Sequence, residues 1–179
     1  MGCDIHMFIE KRVDNLFPWE ADENHKIEVE DAGTEDEYTH INSVSATGRN
    51  YELFELLAGV RGTPINAVFE QRGLPNDLSE MLKSAADQWA GDGHSHSYLS
   101  LEELKEVLVK AKYDLDRDKS SDAFFSWKDY DKSNYKDRPE DYVALVNYCE
   151  DWIDSIKQET FMDLDEYRPE VRLIFWFDN

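Results

Sequence analysis

The sequence predicts an α+β fold, in which a small sheet containing the first and last strands is covered by about four helices. Three observations predict it. Apolar and polar residues alternate near the N-terminus, the C-terminal segment is almost continuously apolar, and helical spacing fills much of the chain between them. The chain has 179 residues, of which 41% are hydrophobic, and this is enough for one domain with its own core. We therefore expect residues 1–179 to form a single domain.

The first strand is predicted over residues 3–13, where apolar and polar side chains alternate with a period of two. This period puts Asp4 and His6 on the same face of the strand. A loop or weak hairpin follows, with Ile27 and Val29 in its second strand. The stretch 20–37 holds nine acidic residues and one lysine, which predicts a solvated acidic loop.

Two helices are predicted in the middle of the chain. The first ends at the glycines of residues 59–62. The second has an apolar stripe from Leu78 to Trp89, and Asn76 or Asp77 is its expected N-cap. Residues 91–97, Gly-Asp-Gly-His-Ser-His-Ser, break the helical pattern and predict a loop.

The C-terminal half predicts two more helices and the last strand. Ser100 and Glu103 match a capping box at the start of the third helix. Residues 114–137 are rich in charge and aromatic rings and resemble an insertion, after which Pro139 opens the longest helix. Residues 171–177 are nearly all apolar, as expected of a central strand covered on both faces and paired near the first strand.

The composition favours some classes of protein and excludes others. The formal charge is 19 − 40 = −21, which disfavours direct binding of nucleic acid or anionic membranes and favours basic partners. Two distant cysteines, Cys3 and Cys149, do not form a disulfide framework, and Cys149 falls on the apolar side of a helix. Neither a signal-peptide pattern nor an apolar run of the roughly 20 residues that span a bilayer is present, so we expect a cytoplasmic protein.

Several short blocks carry a resemblance to a known family. They are Met1-Gly-Cys-Asp-Ile-His6, Arg49-Asn-Tyr51 with Leu53-Phe54, Arg72-Gly-Leu-Pro75, His94-Ser-His-Ser-Tyr-Leu99 and Phe175-Trp-Phe-Asp-Asn179. Together they resemble a family of small proteins carried by bacteriophages and prophages. The resemblance implies a phage protein that acts in the cytoplasm of its bacterial host, and it implies no particular activity. Residues 114–137 match none of the blocks.

Histidine and aspartate residues form the first candidate site, which consists of Asp4, His6, His94 and His96. Imidazole and carboxylate groups are ligands for zinc or manganese, and a catalytic metal would activate a water molecule. The same groups also suit acid–base catalysis without a metal. The alternative is structural, with His6 in the core and the other two histidines in a loop before the third helix.

Arginines beside glycines form the second candidate, a binding set of Arg49 with Asn50, Arg61 and Arg72. A guanidinium group fits phosphate or carboxylate, and an adjacent glycine lets the backbone approach a ligand. Ion pairs with the many carboxylates are the alternative role for these arginines.

Two functions follow from these sites. The first is binding of a small anionic ligand, such as a nucleotide or phosphoester, with hydrolysis assisted by a metal or a histidine if the site is catalytic. The second is a non-enzymatic acidic inhibitor, which would imitate nucleic acid and bind a basic host protein such as a defence enzyme. The sequence leaves open which function holds and whether the protein is an enzyme.

Overall fold

The computed structural model describes residues 2–22, 26–29, 38–41, 51–116, 140–159 and 168–178. The elements within these ranges are β1 (Asp4–Arg12), β2 (Glu20–Ala21), β3 (Lys26–Val29), β4 (Tyr38–Ile41), α1 (Tyr51–Ala58), α2 (Glu80–Gln88), β5 (His94–Ser100), α3 (Leu101–Asp116), α4 (Glu140–Glu159) and β6 (Glu170–Asp178). A short 3₁₀ turn, Pro64–Asn66, follows α1. The predicted α+β class, with both terminal strands in the sheet, is confirmed.

The main sheet is antiparallel, with strand order β2-β1-β6-β5. β1 and β6 pair along their whole length, from Asp4 opposite Asp178 to Arg12 opposite Glu170. β6 is therefore a central strand beside the first strand, as predicted. Its residues 171–177 are all buried, because helices cover both faces of the sheet.

The two faces of the sheet have separate cores. On one face, Met7, Phe175 and Phe177 pack with residues of α1, α3 and α4. The other face, which we call the α2 face, carries Phe8, Ile174 and Trp176 against Leu82 and Ala86 of α2. Each fully buried large apolar side chain stabilises the fold by roughly 1.5–3 kcal/mol. Because side chains alternate along β1 and β6, the register of these strands decides which side chains face which helices.

A buried charge network on the α2 face holds the start of α2. Arg172 donates from Nε to Glu10 Oε2 over 2.7 Å and from a terminal nitrogen to Asp77 Oδ1 over 2.7 Å. The other oxygen of Glu10 accepts from the backbone N–H of Ser79 over 2.8 Å. Trp19 lies over the Arg172 guanidinium at 4.1 Å and donates to Asp77. The network therefore ties α2 to the sheet.

This network also explains why the predicted N-cap of α2 is wrong. α2 begins at Glu80, and Ser79 occupies the N-cap position without a side-chain capping bond. The carboxylate of Asp77 is instead used by Arg172 and Trp19. By contrast, the capping box at α3 is confirmed, since the N–H of Glu103 donates to Ser100 Oγ and the N–H of Ser100 donates to Glu103 Oε2.

The other differences from prediction concern strands. Residues 94–97, expected in a loop, belong to β5, because the edge of β6 offers them a partner. Ile27 and Val29 lie in a strand as predicted, but that strand pairs with β4. The predicted helix start at Pro139, most of the acidic stretch 20–37 and most of the insertion 114–137 lie outside the described residues. Cys149 is buried in the core, as predicted.

Among the described helices, none combines the length and the apolar character that a membrane span requires.

Candidate histidine–aspartate site

The predicted histidine and aspartate residues meet at one end of the sheet. β1 and β5 begin there, and β6 ends there. In the register of the sheet, Asp4 lies opposite Asp178, His6 opposite Trp176, and His94 opposite Phe177. Antiparallel pairing therefore collects residues that are far apart in the sequence.

The central feature of this site is a pair formed by His6 and Asp178. His6 Nε2 lies 3.1 Å from Asp178 Oδ2, and the backbone N–H of Asp4 donates to Asp178 Oδ1 over 3.2 Å. An ionised carboxylate only accepts hydrogen bonds, so this contact assigns the donor role to His6 Nε2; in the neutral ring with that tautomer, the lone pair is on Nδ1. The His6 and Asp178 side chains are 17% and 19% exposed, so solvent reaches the pair.

Aromatic rings surround this pair on the α2 face. The ring of Trp89, at the C-cap of α2, lies 4.2 Å from the ring of His6. The ring of Trp176, on β6, lies 6.0 Å from the ring of His6. The ring of His96 lies 5.7 Å from the ring of Trp176 and belongs to β5, the strand on the other side of β6. Trp89 therefore packs closely against the His6 ring, and Trp176 lies next to that ring on the paired strand.

A bulge at the start of β5 places the two predicted histidines on opposite faces of the sheet. The register shifts between His94 and Ser97, and Ser95 has a positive φ of 52°. As a result, His94 stacks on Phe177 at 6.2 Å, while His96 faces Trp176 on the α2 face. A non-glycine residue in the left-handed region costs free energy, so the fold accepts strain at this position.

The turn before β5 fits closely against His96. A Cβ atom at Gly93 would lie 2.9 Å from the carbonyl oxygen of Trp89 and 3.3 Å from His96 Nε2. Only glycine leaves this space open. Burial lowers the pKa of His96, and the neighbouring His94 lowers it further. Both effects favour the uncharged form of the His96 imidazole.

The predicted metal ligands do not form a metal-binding group in this structure. Within the described ranges, no three His, Cys, Asp or Glu side chains are placed to hold one ion. The bulge separates His94 from His96, and His94 Nδ1 interacts instead with Ser95 Oγ at 3.0 Å. The zinc or manganese site from Asp4, His6, His94 and His96 thus gains no support from the geometry.

The predicted arginines have different environments. Arg72 forms a bidentate ion pair with Glu103, in which Nη1 donates to Oε2 over 2.9 Å and Nη2 donates to Oε1 over 2.6 Å. This is the ion-pair alternative given for the arginines. This hydrogen bonding lowers the pKa of Glu103. Arg61, with a positive φ of 61°, donates to the carbonyl oxygen of Gly2 over 2.7 Å. Arg61 therefore brings a positive charge to the end of the sheet that holds His6.

The other members of the arginine set, Arg49 and Asn50, lie outside the described residues.

Three residues of the site were absent from the sequence prediction: Asp178, Trp176 and Trp89. The sequence did contain a signal for the first two. If the last strand pairs antiparallel with the first, its final residues must lie beside Asp4 and His6. Trp89 belongs to the apolar stripe that predicts α2, and its ring also contributes to the core.

Comparison with known proteins identifies no relative, since no family model, curated protein or solved structure matches this chain. The resemblance to phage proteins therefore stays a prediction.

Proposed function

We propose that this protein binds a small ligand with an anionic group, of the nucleotide or phosphoester class, and that His6 acts on this ligand as an acid–base group. The observation that carries the proposal is the 3.1 Å contact between His6 Nε2 and Asp178 Oδ2. A carboxylate that fixes the tautomer of a partly exposed histidine is the arrangement used by general bases.

The reaction that fits this pair is hydrolysis. His6 Nδ1 would take a proton from a water molecule as the water oxygen forms a bond to the phosphorus atom of a phosphoester. The bond from phosphorus to the leaving oxygen then breaks, and the imidazolium returns the proton to that oxygen. Asp178 would stabilise the positive charge on His6 while it holds the proton.

Two neighbouring groups support the ligand class. The guanidinium of Arg61 donates to the carbonyl oxygen of Gly2, two residues before β1, and lies over the ring of Tyr51 in α1. Its positive charge, which favours an anionic group, therefore lies at this end of the sheet on the side of α1. The ring of Trp89 beside His6 offers a flat surface on which a nucleobase can stack. A phage protein in the host cytoplasm, as the family resemblance implies, would meet such ligands.

The proposal is tested with His6→Gln and Asp178→Asn, and with His40→Gln in the separate β3–β4 sheet as the matched control. Binding of nucleoside monophosphates is measured by NMR titration, and hydrolysis is measured with p-nitrophenyl phosphate and its diester. We expect both site variants to lose hydrolysis by at least about 100-fold, in line with the usual contribution of general acid–base groups. Equal activity in all three variants would refute the role of His6.

The acidic inhibitor is a second candidate, favoured by the charge of −21 together with one exposed apolar turn. Leu16 is 88% exposed and Phe17 is 52% exposed. Asp14 fixes this turn, because its side chain accepts from the N–H of Leu16 and its carbonyl accepts from the N–H of Phe17. An exposed apolar turn on an acidic protein suits a basic partner with an apolar pocket.

The two candidates predict opposite effects of the same variants. If the protein is an inhibitor, the wild type captures a basic bacterial protein in a pull-down. Leu16→Ser or charge reversal within 20–37 would abolish this capture, whereas His6→Gln would not. For a ligand site, Leu16→Ser would leave nucleotide binding and hydrolysis unchanged.

A further inference from the structure

The ring of Trp89 lies against the face of the His6 imidazole. The two ring centres are 4.2 Å apart, and the ring planes are tilted by 38°. Rings come this close only when one covers the face of the other, because rings that meet edge to edge are kept further apart by their own atoms. The carboxylate of Asp178 meets the imidazole at Nε2, on its rim. His6 is therefore contacted at its rim by a carboxylate and on one face by an indole.

Backbone hydrogen bonds set the position of Trp89. Its N–H donates to the carbonyl oxygen of Ala86 over 3.0 Å, and its own carbonyl oxygen accepts from the N–H groups of Asp92 and Gly93 over 3.0 Å and 2.6 Å. At the other end of α2, the buried charge network around Arg172 ties the helix to the sheet. α2 is thus held at both ends, and this places the indole of its C-cap residue beside His6.

A positive charge forms on His6 during the proposed hydrolysis. It forms when Nδ1 takes a proton from the attacking water, and it disappears when this proton passes to the leaving oxygen. The face of an indole carries a negative potential and attracts a cation within about 6 Å of the ring centre. At 4.2 Å, the His6 ring lies within this range. The contact with Trp89 is therefore stronger for the imidazolium than for the neutral ring, and an interaction of this kind lowers the barrier.

We propose that Trp89 is a positioning residue that acts through His6: its ring holds the imidazole beside Asp178 and stabilises the positive charge that His6 carries during hydrolysis. This inference rests on the proposed function and adds a residue to its mechanism. The role requires no contact between the indole and the ligand. The rate of the chemical step should therefore depend on the ring at position 89, whereas the affinity for a ligand that has no ring should not.

The test changes the potential of the indole face and leaves the size of the ring nearly unchanged. Tryptophan analogues with increasing numbers of ring fluorines, which withdraw electron density from the face, are placed at position 89 by nonsense suppression. The same analogues at position 152 are the matched control, because Trp152 is also half-buried and packs against the other core, from α4. Hydrolysis of glycerol 2-phosphate is followed by phosphate release, since this substrate has no ring that could stack on an indole.

We expect kcat to fall with each fluorine added at position 89 and KM to stay the same, whereas the analogues at position 152 should change neither. Trp89→Leu, which removes the ring, should lower kcat by about 2- to 30-fold. Trp89→Phe keeps an aromatic face and should lose less of the rate. Because the analogues preserve the packing of the ring, the test does not depend on whether Trp89→Leu folds.

The outcomes separate this inference from the proposed function. If hydrolysis is lost in His6→Gln but is the same with every analogue at position 89, the role of Trp89 is wrong and His6 remains the acid–base group. A change in KM alone would mean that the ring only contacts the ligand, and equal losses at positions 89 and 152 would mean a general effect on the fold; both overturn the inference. If the wild type does not hydrolyse phosphoesters, or His6→Gln does so equally well, both proposals fail.

Discussion

Replacing Glu10 by Gln should destabilise the fold strongly, although the substitution changes one atom of the side chain. Glu10 is fully buried, and its oxygens contact Arg172 and the N–H of Ser79. The amide leaves the Arg172 charge with Asp77 alone, whose side chain is 61% exposed and so screened by water. Breaking a buried ion pair from one side costs about 3–5 kcal/mol. For a domain of this size, that is a large part of the free energy of unfolding.

The structure contains a matched control for this prediction. Arg12 and Glu170 form the next cross-strand pair on the same face, two positions along the same two strands. The side chain of Glu170 is 46% exposed, so Glu170→Gln should cost less than about 1 kcal/mol. Urea unfolding followed by circular dichroism gives the free energy of unfolding of both variants. Equal losses in Glu10→Gln and Glu170→Gln would refute the argument that burial decides the cost.

Three further predictions concern a helix cap, a thiol and a histidine. Ser100→Ala should lower the free energy of unfolding by about 1 kcal/mol, because its hydroxyl caps Glu103; Ser79→Ala, which removes no capping bond, should cost less in the same urea experiment. Burial raises the pKa of Cys149 to about 12, so iodoacetamide should not modify it in the folded protein at pH 8 and should do so in denaturant; labelling of the native thiol would contradict this. The pKa of His96 is lowered from 6.5 in the fold, so the unfolded chain binds more protons than the folded chain as the pH falls through this range. The free energy of unfolding should therefore fall from about pH 7 to pH 5, and more steeply in the wild type than in His96→Gln. Parallel plots of this free energy against pH for the two proteins would show that His96 does not contribute.

The main elements were predictable because their patterns are local. The alternation in β1 and the continuous apolar run of β6 follow from which faces each strand buries. The capping box of α3 is likewise a signal within four residues. These parts of the fold therefore depend little on distant neighbours.

The rest depends on partners that are distant in sequence. The His-Ser-His-Ser segment has no apolar alternation, and it becomes a strand because β6 lies beside it. Asp77 looked like a helix cap, and Arg172, 95 residues away, takes its carboxylate instead. In the site, residue type alone points to His6, His94 and His96, whereas Asp178 follows only from strand register. The bulge within β5 places His94 and His96 on opposite faces of the sheet, which no rule of residue spacing predicts.

The pairing of the first strand with the last has a consequence for how the protein folds. β1 and β6 are the central strands of the sheet, and they join Asp4 to Asp178 across nearly the whole sequence. Closing a loop of that length costs about 4–5 kcal/mol of chain entropy before any contact is made. While the chain is still on the ribosome, β1 lacks its partner β6, so the two central strands pair only after β6 emerges. The same late step that completes the core also brings Asp178 to His6, so the candidate site forms together with the sheet.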